Sequence, residues 1–298
     1  MQYQKPPLSF EDQASLLMQR GLMADRAVLV SRLNAVNYYR LSAYLYPYRL
    51  YGSDDFIEGT TLDLVWKHYT FDRQLRLLTM DAIERVEVAI RTQLICQFAN
   101  QYGAFGYMDI ATLPGLDLVK YNNWIMSLKM EMERSKARFI KHFKSKYGDS
   151  HTMLPVWMLA ELMSFGRMFT FFMGVNADLQ RCIASEYGVV DIVLMSWLKT
   201  LNTIRNICAH HGRLWNQELG LKPLIPNQRK NPEWHYPVEI SNSHMFAVLT
   251  ILRYLLGIIA PTSAWSSRLR NLFADYPEVS IINMGFPSNW ETSTLWRL

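Results

Sequence analysis

The sequence predicts an all-α fold for this chain of 298 residues. Strand patterns are nearly absent, apolar residues mostly recur at helical spacings of three, four and seven, and helix start and stop residues flank the apolar runs. Half of the residues are hydrophobic and 19% are charged, which predicts a well-packed core and excludes global disorder.

Nine helices are predicted in chain order, over residues 10–20, 25–36, 62–102, 116–147, 155–173, 177–187, 190–214, 243–259 and 263–273. Ser9 and Thr61 stand where N-caps stabilise a helix start, Pro155 suits a first turn, and Gly21 suits a helix end.

The intervening segments carry turn and breaker residues. They are a short aromatic segment over 38–51, loops over 52–59 and 103–115, a proline-rich stretch over 220–238, and an irregular tail from 275. Domain boundaries are therefore expected only near residues 60 and 218. They divide the chain into an N-terminal helical extension over 1–60, a core over 61–218, and a C-terminal part over 219–298.

Composition limits the classes of function. There are 31 basic and 26 acidic residues, a net charge of +5, which allows an anionic partner without requiring one. Three dispersed cysteines without a CxxC pair argue against a disulfide framework and a cysteine zinc cage. The N-terminus lacks the apolar core of a signal peptide. The most apolar window, 245–260, is too short to span a bilayer and contains Arg253, so a cytoplasmic protein without a membrane partner is expected.

The candidate chemistry lies in residues 196–216, where a buried stripe is followed by a dense polar cluster. The cluster comprises Arg205, Asn206, His210, His211, Arg213 and Asn216. Arg205 and His210 form an RxxxxH motif suited to phosphodiester chemistry. A histidine moves a proton near neutral pH, and an arginine holds two phosphate oxygens and the charge that develops on them.

The spacing of the motif predicts half of a site. On an ideal helix Arg205 and His210 lie about 140° apart, whereas Asn206 and His210 share a face. A two-fold dimer that brings two such helices together supplies two arginines and two histidines to one cleft. The alternative is a capped helix end whose histidines pair with backbone or a carboxylate. A metal site is not predicted, because Cys208 and His211 give only two ligands.

Three further groups are candidates, each with a structural alternative. Glu84, Glu87 and Arg91 share one helical face and either approach the motif or form an ordinary ion pair. The segment 129–146 is strongly basic and either tracks a phosphate backbone or is a solvated face. Tyrosines either stack on bases or pack N-terminal helices on the core, and they are Tyr38, Tyr39, Tyr44, Tyr46, Tyr48 and Tyr51.

The motif and its surroundings resemble a known family. The pattern RNxxAHH followed by RxWN consists of Arg205, Asn206, Ala209, His210, His211, Arg213, Trp215 and Asn216. Further similarities follow in order and are Lys5-Pro6, 37–44, Phe71-Asp72-Arg73, Leu75-Arg76, Ile83-Glu84, Glu87, Arg91, 154–157, Glu161, Phe165-Gly166, 284–287 and Trp290. The chain resembles the Abi-like family, bacterial abortive-infection proteins of the AbiD/AbiF kind, whose core resembles the HEPN superfamily of helical RNases.

The resemblance implies a HEPN-like helical bundle over 61–218 and a metal-independent endoribonuclease without a cofactor, acting in phage defence or as a toxin. It implies attack of a ribose 2′-OH on phosphorus, with His210 as general acid/base and Arg205 on the phosphate. Asn206 orients the histidine or the phosphate, and His211 is a secondary candidate. RNA-binding residues are expected at Lys136, Arg138, Lys141, Lys144 and Arg213. The expected partners are RNA, a second copy of the chain, and an antitoxin RNA or protein. The alternative is a non-catalytic RNA-binding or dimerisation protein of the same fold.

Overall fold

The computed structural model describes residue 2 and residues 6–297, and this part of the chain contains twelve α-helices and no strand. The all-α prediction is confirmed. The helices are α1 Phe10–Gln19, α2 Arg26–Val36, α3 Tyr38–Leu45, α4 Leu62–Tyr102, α5 Leu118–Arg134, α6 Arg138–Tyr147, α7 Val156–Leu159, α8 Phe165–Gly174, α9 Ala177–Glu186, α10 Asp191–Ala209, α11 Met245–Ile259 and α12 Trp265–Asp275.

The long helix α4 is the centre of the fold. It has 41 residues, which corresponds to about 60 Å, and it packs against α3, α10, α11 and α12. The hydroxyl of Thr61 accepts a hydrogen bond from the N–H of Leu64 at 3.2 Å, and Gly103 ends the helix with φ 74°. The prediction for residues 62–102 is confirmed at both ends, because both boundaries are set by local capping.

Local signals also place the first helices. Ser9 and Asp25 accept hydrogen bonds from the backbone N–H groups of Asp12 and Val28, which start α1 and α2. The aromatic segment over 38–51 contains α3, to which the sequence assigned no helix. Its cap is Asn37, whose side chain accepts the N–H of Tyr39 at 2.6 Å.

Two predicted helices are wrong because each is broken in the middle. The predicted helix over 116–147 is α5 and α6, separated at 135–137, where Ser135 and Ala137 are extended. The hydroxyl of Ser135 accepts the N–H of Ala137 at 3.3 Å and competes with helical hydrogen bonding. The predicted helix over 155–173 is α7, one 3₁₀ turn and α8, with Met163 and Ser164 extended between them.

The apolar window over 245–260 forms a core helix, as predicted. Every residue from Met245 to Leu252 of α11 is buried, and α11 packs on α4. Nowhere in the described part of the chain does a helix have the length and hydropathy needed to cross a bilayer. The tail folds back onto α11, where Trp296 Nε1 donates to Thr250 Oγ1 at 3.0 Å. The boundaries near residues 60 and 218 stay a prediction.

Candidate functional site

The motif lies at the end of α10, and this end differs from the prediction. The sequence predicted helix to 214, but α10 stops at Ala209. The N–H of His211 donates to the carbonyl of Cys208 at 3.0 Å, and the N–H of Gly212 donates to the carbonyl of Ile207 at 2.7 Å. This pair of bonds is the Schellman motif, in which one residue takes a left-handed conformation. Here that residue is His211, with φ 59°.

Both motif histidines face solvent. His210 is the C-cap of α10 and is exposed, as are Asn206 and His211. Neither imidazole ring makes a hydrogen bond to any described residue. The alternative of a helix end whose histidines pair with backbone or a carboxylate is therefore not what the structure has. Arg205 is half-buried on the last turns of α10, and its Nη1 lies 3.4 Å from Asn206 Oδ1. The geometry therefore leaves two imidazoles and one guanidinium available at a helix end.

Glu87 on α4 lies close enough to Arg205 for their charges to interact. Glu87 is paired with Arg91 one turn along α4, and Arg91 Nη2 also donates to the carbonyl of Met163 at 3.0 Å. Burial raises the pKa of Glu87, although the charges of Arg91 and Arg205 act in the opposite direction. The ordinary ion pair predicted for this face is therefore present, and the approach of the whole face to the motif stays a prediction. Glu84 is exposed.

A fully buried carboxylate anchors the segment that follows the motif. Asp72 Oδ1 accepts the backbone N–H groups of Leu214 at 3.0 Å and Trp215 at 2.7 Å. Its Oδ2 accepts the hydroxyl of Tyr44 at 2.6 Å and the guanidinium of Arg76. Three segments therefore meet at one side chain, namely α3, α4 and the segment after α10.

Arginines reinforce this anchoring from both sides. Arg40 Nη1 donates to the carbonyl of His211 at 2.7 Å, and Arg76 Nη1 donates to the carbonyl of Gly212 at 3.3 Å. Arg213, which follows α10, is half-buried and donates back to the carbonyl of Ala43 on α3. Its guanidinium is thus already engaged with the backbone, although the sequence predicts RNA binding for it.

Several arginines of the motif and its neighbouring segments form no ion pair with a described residue. They are Arg205 and Arg213 within residues 205–213, and Arg40, which donates to the carbonyl of His211. Arginines that lack a protein counter-ion favour the approach of a polyanion.

The prediction of one continuous basic helix over 129–146 is wrong, but more than half of its lysines and arginines lie on the short helix α6. This helix carries four basic and no acidic residues, while Ile140 and Phe143 are buried on its other face. Lys136 lies in the break before α6. Like Arg138, Lys141 and Lys144, it is exposed and forms no ion pair to the residues described. No hydrogen bond or ion pair joins α6 to the motif in residues 6–297.

The N-terminal tyrosines divide into two groups. Tyr44 is buried in the core beside Asp72, and Tyr38 and Tyr48 are half-buried. The exposed members are Tyr39, Tyr46 and Tyr51.

The sequence reasoning missed the group around Asp72. The sequence patterns assign Asp72 and Arg76 to the long helix and to the family resemblance, but give them no role in the site. The signal for their importance is the register of α4, where four polar residues continue the buried stripe of the helix. They are His68, Asp72, Arg76 and Thr79, at spacings of three or four residues. Polar groups on such a stripe need partners from other elements.

Comparison with known proteins gives one finding. A model of the family described as Abi-like protein matches residues 31–216. This range is more than half of the chain and runs from α2 to Asn216, so it covers Asp72 and the motif. The similarities over 284–287 and at Trp290 lie outside the matched range, as does Lys5-Pro6, in which Lys5 is also outside the described residues. Neither the curated proteins nor the solved structures give a match.

Proposed function

Since the chain belongs to the Abi-like protein family, we propose that it is an abortive-infection or toxin effector that cleaves RNA in the cytoplasm without a metal ion. The matched range contains the RxxxxH motif and most of the core predicted to be HEPN-like. The observation that carries the proposal is the end of α10, where His210 and His211 face solvent beside a half-buried Arg205 and their rings make no hydrogen bond to a described residue.

On this proposal the reaction is an internal transesterification of RNA. One base removes the proton of a ribose 2′-OH, the 2′-oxygen bonds to phosphorus, and the bond from phosphorus to the 5′-oxygen breaks. The 5′-oxygen takes up a proton, which leaves a 2′,3′-cyclic phosphate. His210 moves these protons, and Arg205 holds the nonbridging phosphate oxygens. Asn206 orients the histidine or the phosphate, and His211 is a second proton carrier.

The residues of α4 play a supporting role in this proposal. Glu87 lies close enough to Arg205 for their charges to interact, and Arg91 ties Glu87 to the break before α8. On this proposal the negative charge of Glu87 attracts the guanidinium of Arg205. Glu84 adds negative charge next to Glu87 at the surface.

We infer a homodimer for the active form. A two-fold pairing across the exposed end of α10 gives one cleft two copies of His210 and Arg205, so that one histidine serves as base and the other as acid. Light scattering of the purified protein during turnover measures its oligomeric state. A monomer with full RNase activity would defeat the shared cleft.

The first test is cleavage of a mixed single-stranded RNA pool in EDTA, with the product ends mapped. We expect cyclic-phosphate ends with the parent and none with Arg205→Ala or His210→Ala. Matched controls are Arg181→Ala and His151→Ala, which remove an exposed arginine and an exposed histidine elsewhere. Cleavage by folded His210→Ala at the parental rate would refute the assignment.

The second test concerns the exposed basic face of α6. The double variant Arg138→Glu, Lys141→Glu is expected to weaken RNA binding and to flatten its dependence on salt, because fewer counter-ions are released. The matched control is Arg229→Glu, Lys230→Glu, which makes the same charge change on another exposed surface. Equal affinities for the two double variants would remove α6 from the RNA interface.

A second function is favoured by this same face. Salt-sensitive RNA binding without cleavage, unchanged in His210→Ala, would identify a non-catalytic RNA-binding or dimerisation protein of this fold. For the nuclease, an antitoxin RNA or protein that covers His210 is the partner we expect, because a solvent-facing nuclease site has to be kept silent in the host cell.

A further inference from the structure

The buried carboxylate of Asp72 has hydrogen-bond partners on both of its oxygens. A buried carboxylate is costly unless hydrogen bonds and an opposite charge replace the water it loses. Asp72 has 0% exposed surface, and both of its oxygens accept two hydrogen bonds. Two donors are backbone N–H groups of residues 214 and 215, and the counter-charge comes from Arg76. Among the described residues, Asp72 is the one acceptor for the N–H groups of both Leu214 and Trp215, so its loss leaves both without a partner.

The second observation is where the donors lie. Tyr44 is 28 positions before Asp72, and Leu214 is 142 positions after it. Arg76 continues from Asp72 to the carbonyl of Gly212, and Arg40 on α3 holds the carbonyl of His211. The backbone is thus fixed at 211, 212, 214 and 215, directly after His210.

We propose that Asp72 is a positioning residue of the candidate site, which fixes the segment after α10, and with it the histidines, by joining α3, α4 and residues 211–215. Tyr44 is the link from α3 to this carboxylate. The inference rests on the proposed function for its kinetic test, but its structural test is independent of catalysis. It makes the N-terminal helix α3 a part of the site.

The test uses the full chain and compares Tyr44→Phe with Tyr107→Phe. Both tyrosines are at most 1% exposed, and both hydroxyls donate one hydrogen bond, from Tyr44 to Asp72 at 2.6 Å and from Tyr107 to the carbonyl of Leu154 at 2.7 Å. The two variants remove the same atom from equally buried positions, although the Tyr44 hydroxyl also accepts a hydrogen bond from Arg76 Nη1 at 3.3 Å. They differ in whether the lost bond leads to the motif.

Two readouts are measured on each variant. We expect Tyr44→Phe to lower kcat for RNA cleavage by about 10-fold to 100-fold with little change in KM, because small displacements of a catalytic group have effects of this size. We expect hydrogen exchange at the amides of Leu214 and Trp215 to be faster than in the parent. Tyr107→Phe is expected to keep the parental kcat and the parental exchange at 214 and 215.

The outcomes distinguish a failure of the proposed nuclease activity from a failure of the positioning role of Asp72. If the parent does not cleave RNA, the nuclease proposal fails, and amide exchange together with the ring NMR signals of His210 and His211 still decides the positioning role. Equal kcat losses in both tyrosine variants, or unchanged exchange at 214 and 215 in Tyr44→Phe, would overturn it. If Tyr44→Phe does not fold, Arg40→Gln removes the bond to the carbonyl of His211 and is subject to the same criteria.

Discussion

Replacement of His211 by glycine is expected to stabilise the protein. His211 occupies the left-handed position of the Schellman motif with φ 59°, a position that glycine usually occupies. Its side chain is exposed and makes no hydrogen bond to the described residues. The contacts of the residue are made by its backbone, to Cys208 and Arg40, and glycine retains both.

The magnitude follows from two opposing terms. A left-handed conformation costs an L-residue roughly 1–2 kcal/mol. Glycine avoids this cost but loses about 0.5–1 kcal/mol of additional chain entropy on folding. The net gain for His211→Gly is therefore about 0–1.5 kcal/mol with a midpoint of roughly 0.75 kcal/mol, and this midpoint corresponds to a rise in Tm of about 1 °C for a chain of this size.

The assay is urea unfolding followed by circular dichroism at 222 nm, with two control variants. His211→Ala keeps the left-handed strain and is expected to gain nothing. His210→Gly places glycine at an ordinary φ of −92° and is expected to lower stability. If His211→Gly were no more stable than His211→Ala, the strain at this position would not be the cause. A simultaneous loss of RNA cleavage in His211→Gly would show that the imidazole serves function at the expense of stability.

Two further predictions concern buried groups. Burial raises the pKa of the Cys208 thiol to about 12. At pH 8 a thiol reagent should therefore modify the two exposed cysteines rapidly and Cys208 only after unfolding. Rapid modification of all three would contradict this. Burial lowers the pKa of His68 below its ordinary value of 6.5, so the unfolded chain binds more protons just below pH 6.5, and stability falls as the pH falls. The urea midpoint of the parent should therefore fall more between pH 7.5 and 5.5 than that of His68→Gln, and equal falls would count against a neutral His68.

Much of the fold follows from short-range sequence signals. Ser9, Asp25 and Thr61 cap helices within three residues of themselves, and helical periodicity places α4 from 62 to 102. These features depend on neighbours along the chain, so the sequence alone is sufficient to predict them.

The sequence also placed the candidate chemistry at Arg205 and His210, because these residue types determine which reactions they can assist. It failed at the breaks over 135–137 and 163–164 and at the end of α10. A helix ends there because local side chains or later tertiary contacts satisfy the backbone better than one more helical turn does.

Only the tertiary structure decided how the site is built. Asp72 lies on the buried stripe of α4, where a carboxylate is unfavourable on its own. Its position becomes stable because Tyr44 and Leu214, 28 and 142 positions away, supply donors at 2.6 and 3.0 Å. Periodicity assigns each residue to a helix face, but it carries no information about which distant donors will meet there. The packing of α3, α4 and α10 supplies them, because a buried charge has to find partners wherever the fold brings them close.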